Sequence, residues 1–218
     1  MQNRPIILAS GSPRRQQFLR ELGLDFQILV ADIDETPLAN EAPVALAQRL
    51  AEGKAAAAAT RLKAEQGGFI IAADTVVAQG TELLGKPVDD QEAVVMLRQL
   101  RNSPHHVHSA VCLWDCHSGA HLTRVNSTLV QMRNYSDEEL TAYVASGDPL
   151  DKAGAYAIQH PEFAPVCAVD GCISGVIGLP LADLREMLAA FGMALQTPLP
   201  TVCNRHTTFG CCQDKYCF

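Results

Sequence analysis

The residues from Ser10 onward combine small side chains with two arginines, in the order Ser-Gly-Ser-Pro-Arg-Arg. Ser12 is a candidate N-cap, and Pro13 suits the first position of a helix. Arg14 and Arg15 then fall in the first helical turn, where the positive end of the helix dipole disfavours cations. A bound anion would remove this conflict, because backbone N–H groups, serine hydroxyls and guanidinium groups all bind phosphate oxygens. The segment predicts a phosphate site; the alternative is a capped surface helix with solvated arginines.

Carboxylates stand at two places where a hard cation could bind. Asp74 interrupts an apolar stretch over residues 69–78 that predicts a central strand, and an unpaired buried carboxylate is costly. Asp74 therefore predicts a metal ligand or a general base; the alternative is a strand-end carboxylate that reaches solvent at a β-bulge. Asp32, Asp34 and Glu35 form an acidic turn after another strand. Mg²⁺ prefers such oxygen ligands, and a solvated acidic turn gives the same pattern.

Three lysines offer further positive charge. Lys54 lies in an alanine-rich helical pattern, and Lys86 lies in a Gly-Lys-Pro turn. Lys152 lies in a loop of small and charged residues that ends at Gln159. Each lysine taken singly is also typical of a solvated surface group. Cations for a polyphosphate, together with carboxylates for a divalent metal, predict hydrolysis of a metal-bound polyphosphate by water. The sequence contains neither a Walker loop nor a Gly-x-Gly-x-x-Gly motif.

The elements that must position these residues alternate along the chain. Hydrophobic periodicity predicts strands over 6–9, 26–30, 69–78, 106–114, 122–132 and 169–178, and helices over 13–22, 43–66, 90–100, from 136 and over 180–191. Ser136 and Glu139 have the spacing of a capping box. This alternation, with two hairpins, predicts an α/β fold with a mixed sheet.

Composition narrows the class of protein. The 218 residues suit one large domain or two small lobes, with 48% hydrophobic and 19% charged residues. The net charge of −7 argues against a nucleic-acid partner, which would require a basic surface. No run is long and apolar enough to span a membrane, and the first residues do not read as a signal peptide. We therefore expect a cytoplasmic protein with reduced thiols.

The C-terminal segment over 196–218 differs from the rest of the chain. It holds four of the eight cysteines, Cys203, Cys211, Cys212 and Cys217, together with His206. These residues could ligate Zn²⁺ or an iron–sulfur cluster, but their spacing does not match common zinc modules. A disordered or disulfide-prone tail is the favoured interpretation, after a domain over 1–195.

Five segments together resemble the Maf family of nucleoside triphosphate pyrophosphatases, which cleave between the α- and β-phosphates. They are Ala9–Arg15, Ala73–Val77, Gly85–Pro87, Asp151–Tyr156 and Gly178–Leu181, in the family's order and spacing. The resemblance runs from about Ile6 to Phe191. It implies two lobes around a long mixed β-sheet with a central cleft, as in inosine triphosphate pyrophosphatases. It also implies a divalent metal, Mg²⁺ or Mn²⁺, a nucleoside triphosphate substrate and a homodimer.

The resemblance assigns roles to the residues above. Asp74 would be the catalytic carboxylate, as proton acceptor or metal ligand, and Glu35 would be a metal ligand. The phosphates would be held by Ser10, Ser12, Arg14 and Arg15. Further cationic contacts to the substrate would come from Lys54, Lys86 and Lys152.

Substrate preference is also implied by the resemblance. Members with Thr after the catalytic Asp and Ile-Gln after the later loop act on dTTP and UTP, and this chain has Thr75 and Gln159 there. An amide both donates and accepts, which suits the edge of thymine or uracil. His160, Cys172 and Ile173 depart from the family pattern, so the base pocket can differ. The alternatives are a pyrophosphatase for modified or purine nucleotides, such as 7-methyl-GTP, and a nucleotide-binding regulator of cell division.

Overall fold

A computed structural model describes residues 4–62 and 68–212 of the chain. Within these ranges the strands are β1 (Ile6–Leu8), β2 (Phe26–Ile28), β3 (Phe69–Gln79), β4 (Glu82–Leu84), β5 (Pro104–Asp115), β6 (His121–Met132) and β7 (Val166–Asp170). The helices are α1 (Pro13–Glu21), α2 (Pro43–Arg61), α3 (Asp90–Leu100), α4 (Asp137–Ala145), α5 (Ile173–Ile177), α6 (Leu181–Ala190) and α7 (Leu199–Cys203). Two 3₁₀ turns, Asp148–Asp151 and Ala153–Ala155, follow α4. None of the helices in the described ranges is long and apolar enough to cross a membrane.

The strands form one mixed sheet in the order β2-β1-β3-β5-β6-β7. β1 runs parallel to β2 and β3, whereas β3, β5, β6 and β7 pair antiparallel. The α/β fold with a mixed sheet that the alternation of elements predicts is confirmed. The capping box at Ser136 is confirmed as well, because its hydroxyl accepts from the Glu139 backbone while the Glu139 carboxylate accepts from the Ser136 backbone.

One edge of β3 is shared by two short strands with a gap between them. β5 pairs along almost the whole of the opposite edge, so β1 and β4 must both use the remaining one. β1 pairs with β3 as far as Ile71, and β4 begins to pair at Val77. Over residues 72–76, no strand of the described chain covers that edge. The gap opens the sheet at the position of Asp74 and Thr75.

On the α1 face of the sheet, the hydrophobic core also divides near Thr75. One cluster joins α1, α5, α6 and α7 to one face of the sheet, and a second packs the alanine-rich face of α2 on the other. A third cluster surrounds α3 and α4 at the far end of β3, β5 and β6. On the α1 side, Ala73 belongs to the first cluster and Val77 to the third, with the polar Thr75 between them. The sheet therefore runs through two lobes that meet at Thr75.

The strand expected over 169–178 is wrong beyond Asp170. β7 ends at Asp170, and the chain turns into the short helix α5. Gly171 makes this turn with φ of 134°, and a Cβ there would lie 2.7 Å from the Thr128 hydroxyl oxygen. Only glycine fits this position without displacement, so the glycine marks the end of the strand.

The described part of the C-terminal segment packs on the first core cluster. Leu199 and Val202 of α7 and Cys211 beyond it are buried there. Thr197 donates from its hydroxyl to the carbonyl of Leu22 at 3.3 Å. The interpretation as a disordered tail therefore does not hold for 196–212, whereas Cys217 lies outside the described residues.

Candidate active site

The gap in the sheet opens into a cleft of about 910 Å³ between the two lobes. Ten of the residues singled out in the sequence line it, namely Ser10, Ser12, Arg14, Arg15, Glu35, Lys54, Asp74, Thr75, Lys86 and Lys152. These residues are up to more than a hundred positions apart in the sequence. The fold brings them together at the cleft from the start of α1, one face of α2, the middle of β3 and the turn after α4.

The start of α1 is open toward the cleft. Ser12 occupies the N-cap position with extended backbone, yet its side chain caps no backbone N–H group. The first turn contains no acidic residue. The Ser12 backbone N–H donates to the Ser10 hydroxyl at 3.2 Å, which folds the loop back on itself. Uncapped N–H groups and the helix dipole together favour an anion at this end.

Arg15 joins three segments of the chain beneath this helix start. Its Nε donates to the Gly178 carbonyl at 2.9 Å, Nη1 to the Ser10 hydroxyl at 3.1 Å and Nη2 to the Thr75 hydroxyl at 3.3 Å. Burial lowers the pKa of its guanidinium, and the charges of Asp74 and Glu35 oppose this shift. A guanidinium has five N–H donors, so Arg15 uses most of them to hold the loop and strand in place.

Lys54 is the cation that the buried Asp74 requires. Its Nζ lies 2.6 Å from Asp74 Oδ1 and 2.7 Å from Glu35 Oε1. Asp74 is only 7% exposed, whereas the Glu35 side chain is 58% exposed. The α2 face that carries Lys54 is lined by buried alanines, including Ala51 and Ala55, and these small side chains let the helix approach β3 closely. The two carboxylates therefore converge on one positive charge.

This convergence bears on the divalent metal that the family resemblance implies. The two carboxylates converge on one point, which Lys54 Nζ occupies in this structure. In the described part of the chain, no group of three or more His, Cys, Asp or Glu side chains is arranged to hold a metal. Mg²⁺ is commonly held by one or two carboxylates together with substrate phosphates and water. Asp74 and Glu35 thus fit a metal that binds together with a nucleotide.

The other two members of the acidic turn play no part in the cleft. Asp32 and Asp34 are exposed and absent from its lining. Asp34 accepts a hydrogen bond from the Thr36 backbone at 2.9 Å, and hydrogen bonding to Thr36 lowers the pKa of its carboxyl. The solvated-turn interpretation therefore applies to these two residues but not to Glu35.

Ser109 completes a chain of hydrogen bonds that the sequence did not reveal. It is fully buried and lies opposite Thr75 in the antiparallel register of β3 and β5. Its hydroxyl donates to the Gly175 carbonyl at 2.7 Å, so its oxygen accepts from Thr75 at 2.9 Å. Thr75 in turn accepts from Arg15. Only the pairing register, which a single sequence does not show, places Ser109 beside these residues.

Lys152 and Lys86 differ sharply in their surroundings. Lys152 is buried, and its Nζ contacts Asp148 Oδ1 at 2.9 Å, the Asp148 carbonyl at 2.5 Å and Asp151 Oδ1 at 2.5 Å. These contacts use its three donors, so a phosphate would have to replace one aspartate. Lys86 is exposed on the loop after β4. The carbonyl of its neighbour Gly85 accepts from the Gly154 backbone at 3.0 Å, which ties the two lysine loops together.

Comparison with known proteins agrees with this geometry. Residues 5–191 match the family described as "Maf-like protein", which is most of the chain. The chain belongs to the Maf family. Its relatives include proteins named "dTTP/UTP pyrophosphatase" from Pelotomaculum thermopropionicum, Geobacter metallireducens and Myxococcus xanthus, which are 43%, 42% and 45% identical to it. The alignments cover 86–88% of this chain and 94–98% of those relatives.

The Maf match ends at residue 191, before α7, so the C-terminal segment lies beyond it. This segment contacts the one predicted site residue that does not line the cleft. The Gln159 amide donates to His206 Nδ1 at 3.1 Å and lies 3.4 Å from the His206 carbonyl. The Maf domain and its extension therefore meet at Gln159, the residue for which the family resemblance implies base recognition.

Proposed function

We propose that this Maf protein hydrolyses nucleoside triphosphates, with dTTP and UTP as its substrates, to the monophosphate and pyrophosphate. One observation carries the proposal: the Asp74–Lys54–Glu35 cluster and the open start of α1 face a single cleft. Such a cleft suits a triphosphate with its metal, because it offers anion-binding donors on one wall and carboxylates on the other. The names of the relatives support the choice of dTTP and UTP.

In this proposal the phosphates bind at the start of α1. The backbone N–H groups of the first turn and the hydroxyl of Ser12 donate to phosphate oxygens, and Arg14 and Lys86 approach from the same cleft. Arg15 keeps the Ser10 loop and β3 at a fixed separation, because it is bonded to both. The triphosphate is thereby oriented for attack at the α-phosphorus, and orientation alone supplies a large part of catalysis.

Asp74 receives the proton of the attacking water in this proposal. Lys54 holds its carboxylate through Oδ1, so Oδ2 is the oxygen that accepts the proton. Lys54 and Lys86 then offset the negative charge that develops on the leaving pyrophosphate. Asp74 and Glu35 would hold Mg²⁺ or Mn²⁺ jointly with the phosphates. When bound, the metal supplies charge neutralisation and activation of the nucleophilic water.

Pyrophosphate release from a panel of triphosphates tests the proposal. The purified chain is assayed with dTTP, UTP, CTP, dITP and 7-methyl-GTP in the presence of Mg²⁺ or Mn²⁺. We expect the highest kcat/KM for dTTP and UTP, and loss of turnover with retained nucleotide binding in Asp74→Asn. Asp32→Asn is the matched control, because Asp32 is exposed outside the cleft.

The same assay separates the alternatives. A preference for 7-methyl-GTP or dITP would replace the pyrimidine assignment, and tight binding without turnover would favour a regulatory role. Release of inorganic phosphate in place of pyrophosphate would overturn the proposed bond cleavage.

We further propose that residues 1–195 form the catalytic domain of a cytoplasmic homodimer, with 196–218 as an appended segment and neither nucleic acid nor membrane as a partner. The net charge of −7 supports the absence of a nucleic-acid partner. Sedimentation equilibrium of the purified chain tests the dimer, which a monomeric mass would exclude.

A further inference from the structure

Lys152 is a buried cation that reaches the cleft from the turn after α4. Its Nζ contacts three oxygen atoms, two from Asp148 and one from Asp151. An ammonium group has three N–H donors, so all of them are used. A buried lysine requires a partner, but two carboxylates on one cation are more than charge neutrality requires. The two aspartates can therefore have different roles.

Asp148 holds Lys152 from the side away from the cleft. Asp148 is absent from the cleft lining, and its carbonyl oxygen and Oδ1 lie 2.5 Å and 2.9 Å from Lys152 Nζ. Its other carboxylate oxygen, Oδ2, accepts a hydrogen bond from the Tyr143 hydroxyl at 2.7 Å. The backbone carbonyl and both carboxylate oxygens of Asp148 are thus engaged, which fixes its position.

Tyr143 is itself held in place. It is buried, and its ring stacks on that of Phe163 at 4.3 Å between centroids. Its hydroxyl oxygen accepts from the Ala157 backbone N–H at 3.0 Å, so its own proton points to Asp148. Burial, and then the hydrogen bond to Asp148, raise the pKa of Tyr143, which therefore remains a donor. Tyr143, Asp148 and Lys152 form one connected series of hydrogen bonds.

Asp151 contacts Lys152 from the side of the cleft. Asp151 lines the cleft, and its side chain is 79% exposed, against 33% for that of Asp148. Among the residues that the structure describes, its carboxylate has no hydrogen-bond partner other than Lys152, at 2.5 Å. An ion pair with so exposed a partner contributes little free energy, because water solvates the carboxylate. Of the three oxygens on Lys152, that of Asp151 is therefore the one that an arriving anion replaces most easily.

We propose that Asp148, supported by Tyr143, is a positioning residue that holds Lys152 toward the cleft, and that Asp151 occupies the place on Lys152 that a substrate phosphate takes. This inference rests on the proposed function, since it concerns the same triphosphate. When the substrate binds, a phosphate oxygen accepts the N–H group that Asp151 releases, while Asp148 keeps its two contacts. The Asp151 carboxylate turns into solvent. The empty cleft thus contains an anion of its own that competes with the substrate.

Binding of inorganic tripolyphosphate to the full chain, measured by isothermal titration calorimetry with Mg²⁺ present, tests the inference without nucleotide turnover. Asp151→Asn should lower the Kd about two- to fivefold, because a neutral amide competes less for the ammonium group. Asp148→Asn should raise the Kd about tenfold, because Lys152 loses the charged partner that orients it. Both variants remove one negative charge from the same lysine, so a general charge effect would shift the Kd in one direction only.

Three further variants make the assignment specific. Tyr143→Phe keeps the buried ring and should raise the Kd about threefold, so it tests the positioning even if Asp148→Asn does not fold. In a Lys152→Met background, the substitutions at Asp148 and Asp151 should change the Kd by about twofold at most, because they act through the lysine. Asp170→Asn removes the same charge from an exposed position on β7 and should leave the Kd unchanged.

The inference is overturned if tripolyphosphate does not bind, if Asp148→Asn and Asp151→Asn shift the Kd in the same direction, or if their effects persist in Lys152→Met. Its failure is distinguishable from that of the proposed function. Release of pyrophosphate from dTTP together with shifts in the same direction would retain the hydrolysis and remove the roles of the two aspartates. Opposite shifts without turnover of any triphosphate would retain these roles and remove the hydrolysis.

Discussion

His206 Nδ1 accepts a hydrogen bond from the Gln159 amide at 3.1 Å, while Nε2 of the same ring lies 2.8 Å from Glu21 Oε2. Acceptance at Nδ1 requires the tautomer with the proton on Nε2, which then donates to Glu21. The ring also packs edge-on against Phe18 at 4.9 Å between centroids. One residue of the extension thus joins α1 to the loop that carries Gln159.

We expect His206→Ala to lower the free energy of unfolding by about 1–3 kcal/mol, because Gln159 and Glu21 lose a shared partner. Urea denaturation followed by circular dichroism measures the change. His117→Ala serves as the control, since His117 is exposed in the turn after β5. An effect equal to that of the control would mean that the ring contributes nothing to the docking of the extension.

The pair of Lys54 and Asp74 gives a second prediction. Lys54→Met removes the cation from a carboxylate that is 7% exposed, and loss of one partner of a buried pair costs about 3 kcal/mol. In the Lys54→Met background, Asp74→Asn should recover part of this loss, because no buried charge remains. A double-mutant cycle in urea measures the recovery. Additive losses in the double variant would show that the two charges do not interact.

Lys54→Met should also reduce kcat for dTTP about a hundredfold, since Lys54 orients the proposed base and faces the phosphates. Lys86→Met is a comparison within the same site, because Lys86 also faces the phosphates but is exposed on a loop and lacks the contact with Asp74. We expect Lys86→Met to raise KM with a smaller change in kcat. Steady-state pyrophosphate release separates these two effects.

Ser109 is expected to position Arg15 through Thr75. Ser109→Ala leaves the buried Gly175 carbonyl without its donor and should lower the free energy of unfolding by about 1–2 kcal/mol. The kcat for dTTP should fall as well, because Thr75 loses the acceptor that fixes its hydroxyl toward Arg15. Thr81→Ala, in the exposed turn between β3 and β4, should change neither quantity. Unaltered kcat in Ser109→Ala would limit this residue to a structural role.

His105 predicts a specific pH dependence of stability. Burial, and then the nearby His106, lower the pKa of His105 to about 4 from 6.5. Its Nε2 is hydrogen-bonded to the Tyr156 hydroxyl at 2.7 Å, and its Nδ1 has no partner among the described residues. The unfolded chain therefore binds a proton more readily than the folded chain, and stability falls as the pH drops from 6.5 toward 4. The full effect is about 3 kcal/mol.

Urea denaturation at pH 7 and pH 4.5 measures this dependence. His105→Leu should be less stable at pH 7, because Tyr156 loses its partner, but should lose less stability on acidification than the unsubstituted chain. His121→Leu, exposed on β6, should retain the original slope. Equal slopes for His105→Leu and the unsubstituted chain would contradict the low pKa.

The parts of the site that lie within one short segment could be predicted from the local sequence. The strand-to-helix segment after Ser10 and the charge of Asp74 inside an apolar strand both signal a binding site through a local conflict of residue type and position. The sequence alone offers three candidates for the cation that pairs with Asp74, namely Lys54, Lys86 and Lys152. The choice of Lys54 depends on how closely α2 packs on β3, which is a tertiary property.

Other features depend on pairing between distant parts of the chain. Ser109 reaches Thr75 through strand register, and His206 reaches Gln159 across 47 positions. Helix α5 lies where the hydrophobic pattern predicts strand, because five residues are too few to display a helical period. In each case the information lies in three-dimensional packing and not in the local pattern.

The gap over residues 72–76 lies on a strand that both lobes share. β3 and β5 run without interruption from one lobe into the other, so in the described part of the chain the two lobes share one continuous pair of strands. Wide opening by rigid rotation would have to bend this paired ribbon. The width of the opening is then set at its rim, where the Gly154 N–H and the Gly85 carbonyl link the loops of Lys86 and Lys152, so a substrate enters past these linked loops.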